Sequence, residues 1–187
     1  MSLSQLFQQE PRWFQTNHVI GKTLPHDLQS WLRESKSLTQ RLRNQWQTVH
    51  VNVLFESQQI PFLTERRILR IPEHRYSLVR EVILLSNQMP LILARTVIPE
   101  KTLKITQGNL ARLGTRPLGE ILFSAPSLER KVSGITRIEP NQWKSDLHFT
   151  TAIWGRRTQY SICGESMLVS EFFLPSLFYD YDNSARH

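Results

Sequence analysis

Two arginines interrupt the most apolar part of this sequence. Arg80 lies in "LVREVILLS" (78–86) and Arg95 in "LILARTVIP" (91–99), and both segments have the composition of β-strands. Removing an unpaired charge from water costs several kcal/mol, and a guanidinium group binds a carboxylate through two parallel hydrogen bonds. The two side chains therefore suggest a binding site for an anionic ligand.

The register of this hairpin decides whether the two arginines act together. A two-residue turn at positions 87–88 places Arg80 directly opposite Arg95. Like charges opposed on a sheet destabilise it, so this arrangement needs an anion between them. A register shifted by one residue instead places Arg95 opposite Glu81 as an ordinary ion pair, and the pattern alone leaves both registers open.

A carboxylate in the last strand is the third candidate. In "SMLVSEFFLP" (166–175), Glu171 shares a face with Met167, Val169 and Phe173. A carboxylate with such neighbours suits proton handling or a hydrogen bond with a hydroxyl group. The alternative, which the spacing favours, is a structural salt bridge between Glu171 and one of the arginines.

The elements that must position these residues indicate an α+β domain. Apolar spacing predicts a helix, a break and a short second helix over 25–43, and two short helical pieces over 107–123, broken at Gly114. Residues 56–75 have the composition of a long irregular connection, and "WGRR" (154–157) that of a surface turn. Alternation of apolar and polar residues predicts strands at 49–55, 76–85, 90–98 and 126–140, followed by a last hairpin that turns at Gly164–Glu165.

Composition limits the classes of function. The chain has 187 residues, of which 40% are apolar and 21% charged, as in one globular domain. The net charge of +7 comes from scattered basic residues without a zinc-finger, Walker or ribonucleoprotein motif, so we expect no nucleic-acid partner. The single cysteine, Cys163, excludes an internal disulfide and a cysteine-cluster metal site.

The sequence also lacks the signals of membrane and export targeting. No stretch reaches the roughly 20 apolar residues of a membrane span, and the N-terminus lacks a basic region followed by an apolar run. We therefore expect a cytoplasmic protein without membrane insertion.

Four segments occur in an order and spacing that resemble a known family. They are "YSLVREVILL…ARTVIP", "LARLGTRPLGEILF", "WGRR" and "LVSEFFLP". Together they are similar to the chorismate pyruvate-lyases of ubiquinone biosynthesis, over about residues 24–178. The resemblance implies a single domain over 1–187, with an N-terminal extension (1–23) and a flexible tail (179–187).

The family's fold and reaction follow as expectations from this resemblance. It implies a mainly antiparallel six-stranded sheet, with helical flaps closing over a buried ligand cavity. The implied reaction converts chorismate to 4-hydroxybenzoate and pyruvate without a metal or organic cofactor, and we expect a monomer.

The resemblance also assigns roles to five residues. Arg80 is similar to the arginine that holds the ring carboxylate, and Leu118 and Leu38 to positions whose backbone amides contact the substrate. Glu171 resembles the carboxylate that meets the ring hydroxyl. Arg95 corresponds to a second arginine near the enolpyruvyl carboxylate, which favours the register in which Arg80 and Arg95 face each other.

A non-catalytic function is the alternative. The same fold occurs as the effector-binding domain of some bacterial transcription regulators, where it binds a small molecule without chemistry. The residues before position 24 leave little room for a DNA-binding domain, so we expect no complete regulator.

Overall fold

A computed structural model of the protein describes residues 4–15, 24, 26–46, 48–125, 127–144 and 147–178. The predicted flexible tail, 179–187, lies outside these residues, as does part of the N-terminal extension.

One antiparallel sheet of six strands organises the described residues, in the spatial order β1-β2-β3-β6-β5-β4. The predicted α+β class with a six-stranded sheet is confirmed. The strands are β1 (His50–Gln59), β2 (Ser77–Ser86), β3 (Met89–Pro99), β4 (Glu129–Ile138), β5 (Ile153–Ile162) and β6 (Glu165–Phe173).

The β5–β6 hairpin turns one residue earlier than predicted. Its turn residues are Cys163 and Gly164, with φ of 50° and 81°, as a type I′ turn requires. Moving the turn by one residue moves the strand pairing by two positions. Side chains alternate between faces with a period of two, so Tyr160 and Glu171 share a face, as predicted.

The β2–β3 hairpin contains a bulge that the sequence pattern does not predict. Its turn is at positions 87–88 as expected, and both turn residues have positive φ. Leu84 pairs with Ile92, whereas Leu85 pairs with Pro90, so Leu91 is an extra residue in β3.

This bulge separates the two arginines. Beyond it, Arg95 lies opposite Glu81, and Arg80 lies opposite Thr96. A shift of one residue moves a side chain to the other face of the sheet. The prediction that Arg80 and Arg95 face each other is therefore wrong.

The helices cover the sheet on both sides. The predicted helix, break and second helix are confirmed, but the irregular connection over 56–75 is wrong, because β1 continues to Gln59 and a helix follows at Leu63. The α-helices are α1 (His26–Arg33), α2 (Leu38–Gln45), α3 (Leu63–Leu69), α4 (Glu100–Ile105) and α5 (Leu118–Leu122); short 3₁₀ helices lie at Asn109–Ala111, Pro140–Gln142 and Pro175–Phe178.

The two sides of the sheet have different partners. The side that carries Arg80 and Glu171, here called the cavity face, packs against α1 and α2 and near its far end against α5. The opposite side, the back face, is covered by the N-terminal segment 4–15 and by α3. Among the described residues, no helix has the length and apolar character needed to cross a bilayer.

Candidate functional site

A cavity lies between the cavity face and the helices α2 and α5. Its free space is about 670 Å³ when the part open to solvent is included. Apolar side chains from the strands form most of its floor, and polar groups are few. The floor includes Val51, Val82, Leu84, Ile92, Ala94 and Val169, and the polar side chains in the wall include Arg80, Tyr160 and Glu171.

Two flaps cover this cavity. The first flap comprises residues 34–45 with α2, and the second comprises residues 106–123 with α5. Ser37 caps α2 by accepting a hydrogen bond from the Gln40 amide at 3.3 Å. Leu38 and Leu118, the first residues of the two flap helices, both line the cavity.

The flaps touch at a glycine. A methyl group added at Gly119 would lie 2.8 Å from Oγ of Ser37, so the Ser37 hydroxyl would have to move to accommodate it. Nearby, Nη1 of Arg43 lies 2.7 Å from Oε1 of Glu120. These contacts hold the first flap against the second above the cavity.

Arg80 projects from β2 into the cavity wall and is 3% exposed. Its Nη1 atom donates to Oε2 of Glu56 at 2.6 Å, and Nη2 donates to the Gly114 carbonyl at 2.7 Å. A guanidinium group has five N–H donors. Two of them are used in these bonds, so the group retains donors for a ligand carboxylate.

Glu171 is held by an arginine that the sequence pattern did not select. Nε of Arg156 donates to Oε2 of Glu171 at 2.7 Å, across the β5–β6 pair. Glu171 does form a salt bridge, but the favoured alternative is wrong about its partner, which is Arg156 and neither Arg80 nor Arg95. The ion pair keeps a carboxylate oxygen at the cavity as a hydrogen-bond acceptor.

Arg156 also holds the end of α1. Its Nη1 atom donates to the carbonyls of Trp31, Leu32 and Glu34 at 3.1, 3.3 and 2.6 Å. The last carbonyls of a helix lack intrahelical partners and attract a positive charge. One buried side chain thus connects Glu171 to the helix that leads into the first flap.

The "WGRR" segment lies in β5, so its prediction as a surface turn is wrong. Its alternation could have revealed Arg156, because positions 156, 158 and 160 must share one face of a strand. Gly155 is needed because a Cβ atom there would lie 2.5 Å from the Phe172 ring.

Tyr160 contributes a protonated hydroxyl group to the cavity wall. Burial raises the pKa of Tyr160, and the nearby negative charge of Glu171 raises it further. Arg156 and Arg130 oppose this effect but do not cancel it. At neutral pH the Tyr160 hydroxyl is therefore a hydrogen-bond donor.

Arg95 lies on the back face, so its predicted place in the cavity is wrong. It donates to Glu65 through Nε and Nη2 at 2.8 and 3.0 Å, and to Glu81 through Nη1 at 2.7 Å. Its Cζ atom lies 4.3 Å from the centre of the Phe62 ring. Burial alone would lower the pKa of Arg95, but the two carboxylates together raise it above its ordinary value.

The same cluster anchors the N-terminal segment. Ser4 Oγ and the Gln5 amide each donate to Glu81 at 2.6 Å, and the Thr64 amide donates to Glu10 at 2.8 Å. Arg95 therefore has the contacts of a structural residue that links the sheet, α3 and segment 4–15.

Four of the five predicted site residues line one cavity: Arg80, Glu171, Leu38 and Leu118. Their roles in binding and catalysis stay predictions. The fold and the cavity together define the class of protein: a small-molecule-binding α+β domain in which flaps close over an antiparallel sheet.

Comparison with known proteins identifies the family. The family model for chorismate lyase matches residues 7–183, so the chain belongs to the chorismate lyase family. The chain is 39% identical over 155 residues to the "Probable chorismate pyruvate-lyase" of Methylococcus capsulatus, covering 80% of this chain and 96% of that protein. It is 35% identical over 182 residues to the protein of the same name from Shewanella sp. (strain MR-7), covering 94% and 93%.

Solved structures of other proteins share this fold. PhnF from Mycobacterium smegmatis superposes with a TM-score of 0.56 at 11% identity, over 79% of this chain and 67% of that one. The C-terminal domain of the histidine utilization repressor from Pseudomonas syringae gives 0.52 at 10% identity, over 71% and 95%. At such low identity these likenesses show the fold alone.

Proposed function

We propose that this protein is a chorismate pyruvate-lyase, which converts chorismate to 4-hydroxybenzoate and pyruvate. The observation that carries the proposal is the placement of Arg80 and Glu171. They come from β2 and β6, strands separated by β3, yet both line the same largely apolar cavity beneath the flaps. Membership of the chorismate lyase family supports the choice of substrate.

The ring carboxylate of chorismate binds to Arg80 in this proposal. Arg80 is buried, its guanidinium group is fixed by two hydrogen bonds, and it retains donors for a carboxylate. The backbone amides of Leu38 and Leu118 begin the two flap helices, where N–H groups have no intrahelical partner. They supply further donors when the flaps are closed.

Glu171 accepts a hydrogen bond from the ring hydroxyl. Its ion pair with Arg156 holds one carboxylate oxygen in place. The substrate's carboxylate and hydroxyl groups are at opposite ends of the ring, so Arg80 and Glu171 together orient it.

The enolpyruvyl carboxylate needs a partner other than Arg95, which lies on the back face. Arg116, in the second flap, is a cation that lines the cavity. We assign it to this carboxylate. Because Arg116 is in a flap, its contribution depends on flap closure.

The reaction needs little chemistry from the protein. The bond between the ring and the ether oxygen breaks, and the ring loses the hydrogen on the carbon that carries its hydroxyl group. The released enolpyruvate gains a proton to become pyruvate. Aromatisation supplies driving force. The protein orients the substrate, excludes water and stabilises the charge that develops on the ether oxygen.

The proposed enzyme works as a cytoplasmic monomer. Size-exclusion chromatography of the pure protein checks this point.

Incubation of pure protein with chorismate, followed by chromatography, tests the proposal. The wild type should form 4-hydroxybenzoate and pyruvate in equal amounts, and Arg80→Ala and Glu171→Gln should be strongly impaired. If the wild type forms no 4-hydroxybenzoate but binds it, the alternative hypothesis holds, in which the protein is a small-molecule-binding domain without catalytic activity. If both variants match the wild type, the assignment of the site fails.

A further inference from the structure

A second bulge in the sheet places a carboxylate beside Arg80. In the first part of β1, Val51 pairs with Leu84 and Val53 with Val82. Continuing this register would place Phe55 opposite Arg80. The register shifts after Val53, so that Glu56 lies opposite Arg80 instead. Bulges re-aim side chains near functional sites, and this one exchanges a phenyl ring for a charge.

The contact between Glu56 and Arg80 is short and directional. Oε2 of Glu56 lies 2.6 Å from Nη1 of Arg80, and the Gly114 carbonyl oxygen lies 2.7 Å from Nη2. These two acceptors come from different elements, β1 and the second flap. Together they fix the plane of the guanidinium group, which otherwise turns about several single bonds.

The two partners differ in exposure. The Arg80 side chain is 3% exposed, whereas that of Glu56 is 29% exposed. Glu56 therefore approaches Arg80 from the solvent side, while Arg80 lines the cavity. A ligand carboxylate on Arg80 would feel the negative charge of Glu56 at close range, and like charges weaken each other's binding.

We propose that Glu56 is a positioning residue that orients Arg80 for the ring carboxylate and limits how tightly the product is held. This inference rests on the proposed function and extends it to a residue that does not line the cavity. Because 4-hydroxybenzoate keeps the ring carboxylate, its release must break the contact with Arg80. The charge of Glu56 weakens that contact, and its hydrogen bond keeps the guanidinium group ready for the next substrate.

Two substitutions separate these effects. Glu56→Gln keeps the length of the side chain and an acceptor oxygen but removes the charge. It should tighten 4-hydroxybenzoate binding on the order of fivefold and slow steady-state turnover, with a single-turnover rate close to wild type. Glu56→Asp keeps the charge but not the reach, and it should reduce the single-turnover rate by about tenfold.

Glu73→Gln is the matched control, because it removes one negative charge from an exposed turn outside the cavity wall. Calorimetry with 4-hydroxybenzoate, steady-state kinetics and single-turnover kinetics are measured for each variant, with urea unfolding to verify the fold. The inference is overturned if Glu56→Gln and Glu56→Asp both have the product affinity, steady-state rate and single-turnover rate of Glu73→Gln. A wild type without turnover contradicts the proposed function alone, since the calorimetric comparison still tests the role of Glu56.

Discussion

The Nε atom of Arg156 lies 2.7 Å from Oε2 of Glu171, on the cavity face of two neighbouring strands. The same guanidinium group binds three carbonyls at the end of α1. Arg156 therefore connects the carboxylate at the cavity to α1, the helix that precedes the first flap. Under the proposed function, stability and substrate orientation both depend on this one side chain.

Replacing Arg156 with methionine should destabilise the protein and impair turnover. The change leaves Glu171 with an uncompensated charge and removes the donor to three carbonyls, so we expect a loss of about 3–5 kcal/mol in the free energy of unfolding. Urea unfolding measures it. The control is Arg137→Met, whose side chain is 50% exposed; it should change stability by less than about 0.5 kcal/mol. Equal stability of the two variants contradicts this role for Arg156.

Arg80 and Arg95 should give opposite phenotypes although they lie in one hairpin. Arg80→Met removes the proposed carboxylate ligand, so kcat/KM for chorismate should fall about 100-fold or more. Arg95→Met leaves Glu65 and Glu81 without their common partner on the back face, so stability should fall by several kcal/mol. Its kcat/KM, corrected for the folded fraction at low temperature, should stay within about threefold of wild type.

Circular dichroism gives the folded fraction, and progress curves with chorismate give kcat/KM. A folded Arg95→Met variant that loses activity as severely as Arg80→Met would show that the back face contributes to catalysis.

The contrast between the two hairpins explains how far the sequence could predict the site. In β5–β6 the predicted turn is wrong by one residue, which shifts the pairing by two positions and leaves Tyr160 and Glu171 on the same face of the sheet. In β2–β3 the predicted turn is correct, but the extra residue Leu91 shifts the pairing by one position. Arg95 therefore lies on the other face of the sheet. Local patterns predict strands and turns well, but a bulge is stabilised by tertiary contacts. The Leu91 carbonyl accepts a hydrogen bond from the amide of Leu174, at the far end of the chain.

The burial of charged side chains on the back face could not be predicted from the sequence, for a similar reason. The run "TERRILR" has the composition of a solvated loop, yet Glu65 is 4% exposed within α3. Its burial depends on Arg95, which reaches it only because of the bulge. Composition predicts exposure for charged residues because most of them are exposed in proteins. A charged residue that is buried with a partner is an exception to this rule.

The titration of Tyr160 should depend on Glu171. Burial and the charge of Glu171 raise the pKa of Tyr160 in the folded state, so the folded protein holds this proton more tightly than the unfolded chain. The resulting stability is complete below the ordinary tyrosine pKa of about 10 and is lost as the pH rises through the folded value. Absorbance at alkaline pH follows the tyrosine ionisation. Tyr160→Phe should remove a tyrosine that titrates above its ordinary range, and Glu171→Gln should move the titration of Tyr160 to lower pH.

An unchanged late titration in Tyr160→Phe would assign it to another tyrosine. The free energy of unfolding provides an independent check, because the decrease above pH about 10 should be smaller in Tyr160→Phe than in wild type.

Gly119 should control the release of product through the flaps. An added methyl group would lie 2.8 Å from Oγ of Ser37, so Gly119→Ala should displace the Ser37 hydroxyl and loosen the contact between the flaps. If release of 4-hydroxybenzoate requires flap opening, its dissociation rate should rise by about fivefold or more and product inhibition should weaken. Stopped-flow displacement of bound 4-hydroxybenzoate measures the rate.

Ser37→Ala supplies the matched test of this contact, because it removes the atom that the new methyl group would meet. Alone it loses the cap of α2, which costs about 1 kcal/mol. Combined with Gly119→Ala, it should return the dissociation rate towards wild type, since residues in contact give non-additive effects. A dissociation rate that is the same in wild type and Gly119→Ala would mean that the product leaves without separation of the flaps at this point.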